Sequence, residues 1–149
     1  MEVALPVSKA IATLLGAGDS DIARWSTQAA LGIAGMRMAL GAAALLVPTV
    51  AGRAWIGPGA SGKDRAVTLR ALGGRDVVLG AGALLGAAER DELRRWVALG
   101  ATSDAVDTIA TAVGFGALPK RRRWLVLAAS AASASAGLLA AAGLSRERR

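Results

Sequence analysis

The sequence predicts an all-α integral membrane protein, a four-helix bundle with short loops and an N-terminal amphipathic interfacial helix. Three observations lead there. Residues 124–144, WLVLAASAASASAGLLAAAGL, run for 21 residues without a charge, and about 20 suffice to cross the hydrocarbon core. The 149 residues are 54% hydrophobic but only 3% aromatic, with 36 Ala and 19 Gly. A soluble core of this size takes its bulk from larger side chains, whereas small residues suit helices that approach closely in lipid. The net charge of +7 is carried by residues that flank apolar runs, among them Arg24, Arg53, Lys63, Arg94, Arg95 and Lys120 to Arg123. That placement fits anionic lipid headgroups.

Taken in order, residues 1–25 form the interfacial segment. Val7, Ile11, Leu14 and Leu15 fall at helical spacing, with Lys9 and Thr13 elsewhere, and Gly16 and Gly18 end the run. A cleaved signal peptide is the rival, but Glu2 stands where a positive n-region belongs. The transmembrane domain covers residues 26–145. Its first span is expected at 28–50, closed by Pro48 and Gly52, and a Gly-rich loop follows with Trp55 as an interfacial anchor. The second span is expected at 66–88, followed by the charged hairpin loop ERDELRR at 89–95. The third runs from about 95 to 117, LPKRRR turns the chain, and 124–144 is the fourth. Residues 146–149 are a basic tail.

Several functions are excluded by what is missing. Without Cys or His there are no disulfides, no thiol catalysis, no Cys/His metal site and no Ser-His-Asp triad. GASGKDR, residues 59–65, lacks the GxxxxGK[ST] spacing, and no strand precedes it. The basic residues are not interleaved with aromatics, which argues against nucleic acid as a partner. No enzyme activity, cofactor or metal is expected. A lipid-directed enzyme with a metal on Asp104 and Asp107 is a weak third reading, because two carboxylates under-coordinate Mg²⁺.

The charges within the spans carry the candidate site. Arg37 falls in the first span, Arg70, Arg75 and Asp76 in or near the second, and Asp104 and Asp107 in the third. A charge at bilayer depth costs at least ~2.5 kcal/mol and should face the bundle and find a partner. Three guanidiniums meet three carboxylates in this count. Asp104, Asp107, Thr108 and Thr111 share one helix face, extended by Gly100 and Ser103 as a small polar seam. Arg75 is expected to pair with Asp104 or Asp107, and Asp76 with Arg37 or a helix terminus. The balance of charge favours a network that fixes helix register; a site for protons, ions or a polar headgroup is the rival. A milder alternative leaves Arg70, Arg75 and Asp76 at the membrane edge.

Small residues mark the expected helix contacts. In the second span Gly82 and Gly86 form a GxxxG pair, and in the fourth Ser130, Ala134 and Gly137 form one face, Ser133, Gly137 and Ala141 another. Residues 35–46, GMRMALGAAALL, match residues 74–85, GRDVVLGAGALL, at seven of twelve positions without a gap. In adjacent antiparallel helices this would be an inverted repeat, although so Ala/Gly-rich a chain makes coincidence the expected explanation. Lys and Arg divide almost evenly between the two sides, so the positive-inside rule leaves orientation open.

The pieces Trp55 and Gly57, RALGGRDVVLG at 70–80 and DAVD at 104–107 resemble a group of small actinobacterial membrane proteins with four transmembrane helices and an RDxxLG…DxxD pattern. The resemblance covers most of the span from about 28 to 144, without the amphipathic N-terminus or the KRRR turn; it implies the fold and brings no activity. By elimination the expected role is a non-enzymatic accessory or stabilising subunit of a larger inner-membrane complex, with a lipid-transport or envelope-assembly machine as its natural host. Its partners would be anionic membrane lipids and other transmembrane subunits. The alternative is a small oligomeric transporter or channel built on the Arg/Asp network.

Overall fold

The computed structural model describes residues 19–60 and 62–145. The expected amphipathic segment before residue 19 and the basic tail at 146–149 lie outside them. The described residues form helices joined by short turns, without strands: α1 (Asp19–Leu46), α2 (Pro48–Trp55), α3 (Lys63–Leu85), α4 (Arg90–Val113) and α5 (Arg123–Leu144). Single 3₁₀ turns sit at Pro58–Ala60, Gly86–Ala88 and Phe115–Ala117. The four long helices alternate in direction, with α1 against α3, α3 against α4, α4 against α5 and α5 back against α1.

The boundaries differ from those expected in ways the residues explain. The first helix covers Asp19–Leu46 among the described residues, stopping at Leu46 rather than running on to 50. Pro48 has no N–H to continue the ladder and pushes Val47 out of the helical region, to φ −128° and ψ 55°. Pro48 then serves as the first residue of α2, so part of the expected Gly-rich loop is helical. That loop reverses at Gly57, whose φ of +118° is closed to most side chains. ERDELRR is not a hairpin loop. It is helical from Arg90, with Asp91 and Glu92 in the first turn, where carboxylates complement the N-terminal dipole. The connection is instead the tight turn at Gly86–Ala88.

Among the described residues three helices are long and apolar enough to cross a membrane: Asp21–Leu46, Lys63–Ala88 and Arg123–Leu144. The segment expected as a third span, α4, falls short because Arg90 to Arg95, Asp104 and Asp107 dilute it.

The distribution of side chains is inverted relative to a water-soluble bundle. The buried apolar residues are mainly alanines, joined by Leu93, Val97, Val126 and Leu144, while Arg37 and Asp104 are buried among them. Large side chains point outward instead, including Met36, Leu40, Val67, Val78, Ile109, Leu138 and Leu139. The outer face of α4 follows the same rule, since Leu99, Val106, Ile109 and Val113 recur at helical spacing and are all exposed.

The closest packing lies between α1 and α3. A Cβ on Gly41 would sit 2.7 Å from the Gly73 carbonyl oxygen and 2.9 Å from the Val77 nitrogen. One on Gly80 would sit 2.7 Å from the Ala34 carbonyl oxygen and 3.0 Å from the Met38 nitrogen. Gly41 and Gly80, Ala34 and Gly73, and Met38 and Val77 are each 39 residues apart, the offset of the sequence repeat. The repeat therefore also exists in space, as a pseudo-twofold crossing of two antiparallel helices. Arg37 and Asp76, again 39 apart, meet near its centre at 2.8 Å.

Candidate functional site

The site is the charge cluster at this crossing. Arg37 leaves α1 at the level where glycines bring α1 and α3 together, and its guanidinium turns into the bundle, 8% exposed. Its Nη1 donates to Asp76 Oδ1 on α3 at 2.8 Å. Its Nη2 donates to Asp104 Oδ2 on α4 and to the Gly100 carbonyl one turn earlier at 3.3 Å. Gly100 has no side chain to fend off the guanidinium, which lies 3.3–3.4 Å from where its Cβ would be. Asp104, its side chain 10% exposed, also accepts from the Ser133 hydroxyl of α5 at 2.6 Å. One carboxylate thus ties together α1, α4 and α5.

Arg75 forms the second centre. It holds Asp107 bidentately, Nη1 to Oδ1 at 3.1 Å and Nη2 to Oδ2 at 2.8 Å, the geometry a planar fork favours. Its Nε and Nη2 reach Asp76 Oδ1 at 3.3 and 3.2 Å. Asp76 is therefore shared by both arginines and links the buried Arg37 centre to the more open Arg75–Asp107 pair, 31% and 37% exposed.

Arg37, Arg75, Asp76, Asp104 and Asp107 are brought together. Arg70 is not. It is exposed and donates Nε to the Leu45 carbonyl at the end of α1, 3.2 Å away. The reason is rotation, since five residues turn a helix by about 500°, leaving Arg70 roughly 140° around α3 from Arg75. The count changes with it: two guanidiniums face three carboxylates, so the cluster carries one negative charge in excess. The polar seam on α4 is partly self-satisfied, Thr108 donating to the Asp104 carbonyl at 2.7 Å. Among the described residues no group of three or more carboxylates is placed to hold a metal ion.

The expected packing residues divide. Gly82 makes room for an aromatic ring rather than a helix backbone, since a Cβ there would come within 2.5 Å of the Trp96 indole. Gly86 lies against Glu92 and Trp96 in the same way. Ala134 and Gly137 are buried, and Gly137 abuts Ala101 of α4, so that a Cβ on Gly137 would sit 2.8 Å from the Ala101 Cβ. Ser130 is half-buried and spends its hydroxyl on the Leu127 carbonyl. Missing from the expectation are Gly41, Gly73 and Gly80, which carry the α1–α3 crossing, and Ser133 as a donor to the cluster. Gly73 and Gly80 stand seven apart on one face, a signal that a search for GxxxG passes over.

Comparison with protein-family models, curated proteins and solved structures finds no match to this chain.

Proposed function

We propose that the protein is a multi-pass inner-membrane protein in which all four long helices cross the bilayer, and that it serves as a non-enzymatic accessory or stabilising subunit of a larger membrane complex. The observation that carries this reading is the inverted surface. Large apolar side chains face outward on every long helix, α4 included, while Asp104 and Asp107 of α4 turn inward onto Arg37 and Arg75. In water such a surface aggregates; in lipid it is what a spanning bundle requires. The low apolarity of α4 is then the mark of its inward charges and its polar first turns. The outer face of α1 exposes Gly32 and Gly35 with open space where a Cβ would stand, a surface onto which another transmembrane helix packs closely. A lipid-transport or envelope-assembly complex remains the natural host.

The excess carboxylate in the cluster supports a second reading, a small oligomeric transporter or channel for a proton or cation. Two experiments separate the two. Purification of the full chain in gentle detergent with mass spectrometry returns a stoichiometric set of membrane subunits if it is an accessory subunit. Flux across liposomes holding the chain alone supports the transporter and removes the accessory reading. Cysteines at Lys63 and Glu89 should label from opposite faces of the membrane; labelling from one face overturns the four-span topology.

A further inference from the structure

Arg37 and Arg75 each hold two carboxylates, whereas Arg70 holds none. It stands seven residues into α3, about 10 Å from its start, on the outward face. Its Nε–H is committed to the Leu45 carbonyl, which fixes the plane of the fork and leaves both terminal nitrogens without a partner among the described residues. Val67, one turn earlier on the same face, and Leu46, beside the accepting carbonyl, are exposed and apolar. The surrounding end of the bundle is strongly cationic. Residues 47–66 and 114–123 carry Arg53, Lys63, Arg65 and Lys120 to Arg123 against the one carboxylate of Asp64, a net +6. At the opposite end, residues 19–25 and 86–95 carry four arginines against five carboxylates. Trp55 and Trp124 are exposed at the cationic end, where indoles mark the headgroup level. A guanidinium beside the end of α1, turned outward near this cationic rim and lacking a protein anion, is placed to take its anion from the membrane.

We infer that Arg70 holds the phosphate of an anionic phospholipid at the seam between α1 and α3, with the acyl chains lying over Leu46 and Val67. The two terminal nitrogens of the fork donate to two phosphate oxygens side by side, and the cationic rim draws anionic lipid to this end in preference to zwitterionic lipid. The inference rests on the proposed membrane-spanning reading and deepens it by naming a ligand class.

The test uses the full chain in nanodiscs of phosphatidylcholine with a minority of phosphatidylglycerol, followed by native mass spectrometry of retained lipid. Wild type is expected to retain phosphatidylglycerol over phosphatidylcholine. Arg70→Gln should lower that retention about fivefold, the worth of one interfacial cation, while Arg70→Lys keeps most of it. Equal retention in wild type and Arg70→Gln overturns the inference, as does displacement of the lipid by millimolar inorganic phosphate, which would make the site one for free anion. Should Arg70→Gln fail to fold, photoactivatable phosphatidylglycerol on wild type decides. Adducts around Leu46 and Val67 support the site, and adducts confined to other helices overturn it. A chain that does not enter the discs overturns the membrane reading itself, whereas an inserted chain with no lipid preference overturns this inference alone.

Discussion

Replacing Arg37 by Met keeps the aliphatic bulk and removes the charge that two helices converge on. Its consequences differ for the two carboxylates. Asp76 retains Arg75, at 3.2 and 3.3 Å. Asp104 retains only the Ser133 hydroxyl, and its side chain is nine-tenths buried. One carboxylate is stranded rather than two, so the cost belongs near the lower end of the ~3–5 kcal/mol for breaking a buried pair. Asp104→Asn alone should cost less, about 1–2 kcal/mol, because the amide oxygen still accepts from Ser133 and Arg37 keeps Asp76 and the Gly100 carbonyl. In the double variant no buried charge is stranded, and the penalty should fall short of the sum of the singles by ~2 kcal/mol, the coupling expected of direct partners. Reversible unfolding in mixed micelles, followed by far-ultraviolet circular dichroism, measures all three. An Arg37→Met penalty below ~0.5 kcal/mol, or strict additivity, would refute the claim that this cluster holds the helices together.

Three further outcomes follow from the same geometry. Arg75→Met should destabilise less than Arg37→Met, by ~1–2 kcal/mol in the same unfolding assay, because its pair with Asp107 is about a third exposed and outward water or headgroups can replace it. Gly41→Ala and Gly80→Ala should each cost ~1–3 kcal/mol by overpacking against backbone and should cost similar amounts, since their surroundings are related by the pseudo-twofold. Gly32→Ala, with nothing within 4 Å, should be neutral, and unequal penalties at 41 and 80 would remove the symmetry argument. Leu at Gly137 should disrupt the α4–α5 contact at Ala101 and lower the yield of monodisperse protein, whereas Leu at exposed Ala128 should not.

Part of the fold is legible because a helix able to cross a membrane needs uninterrupted apolar length, and residues 124–144 supply it without a charge. The third and fourth long helices emerge with different clarity for the same reason. The inward charges that make α4 important to the site also lower the signal by which a spanning helix is read. The pairing of Arg75 with Asp107 and of Arg37 with Asp76 follows from depth and sign, since few opposite charges exist at that level. Arg70 defeats the same reasoning because a tally of charges ignores azimuth, and the helical rotation from residue 75 carries it to the outer face. The glycine crossing was hidden for a different reason. In a chain so rich in Ala and Gly, which small residues touch is decided by the partner helix, and one helix at a time does not reveal it.

The ties of Arg37 bear on how the chain is made. Its partners are not on α1 but at Asp76 and Asp104, which leave the ribosome 39 and 67 residues later. If α1 crosses the bilayer as proposed, its arginine meets the membrane before its counter-ions exist. Entry of that helix alone carries the penalty of a bare guanidinium, ~2.5–3.5 kcal/mol at mid-membrane. In the proposed topology the arrival of α3 in the opposite direction, bringing Asp76, removes that penalty, so the two halves of the repeat gain most by entering lipid together as a hairpin neutralised at its crossing.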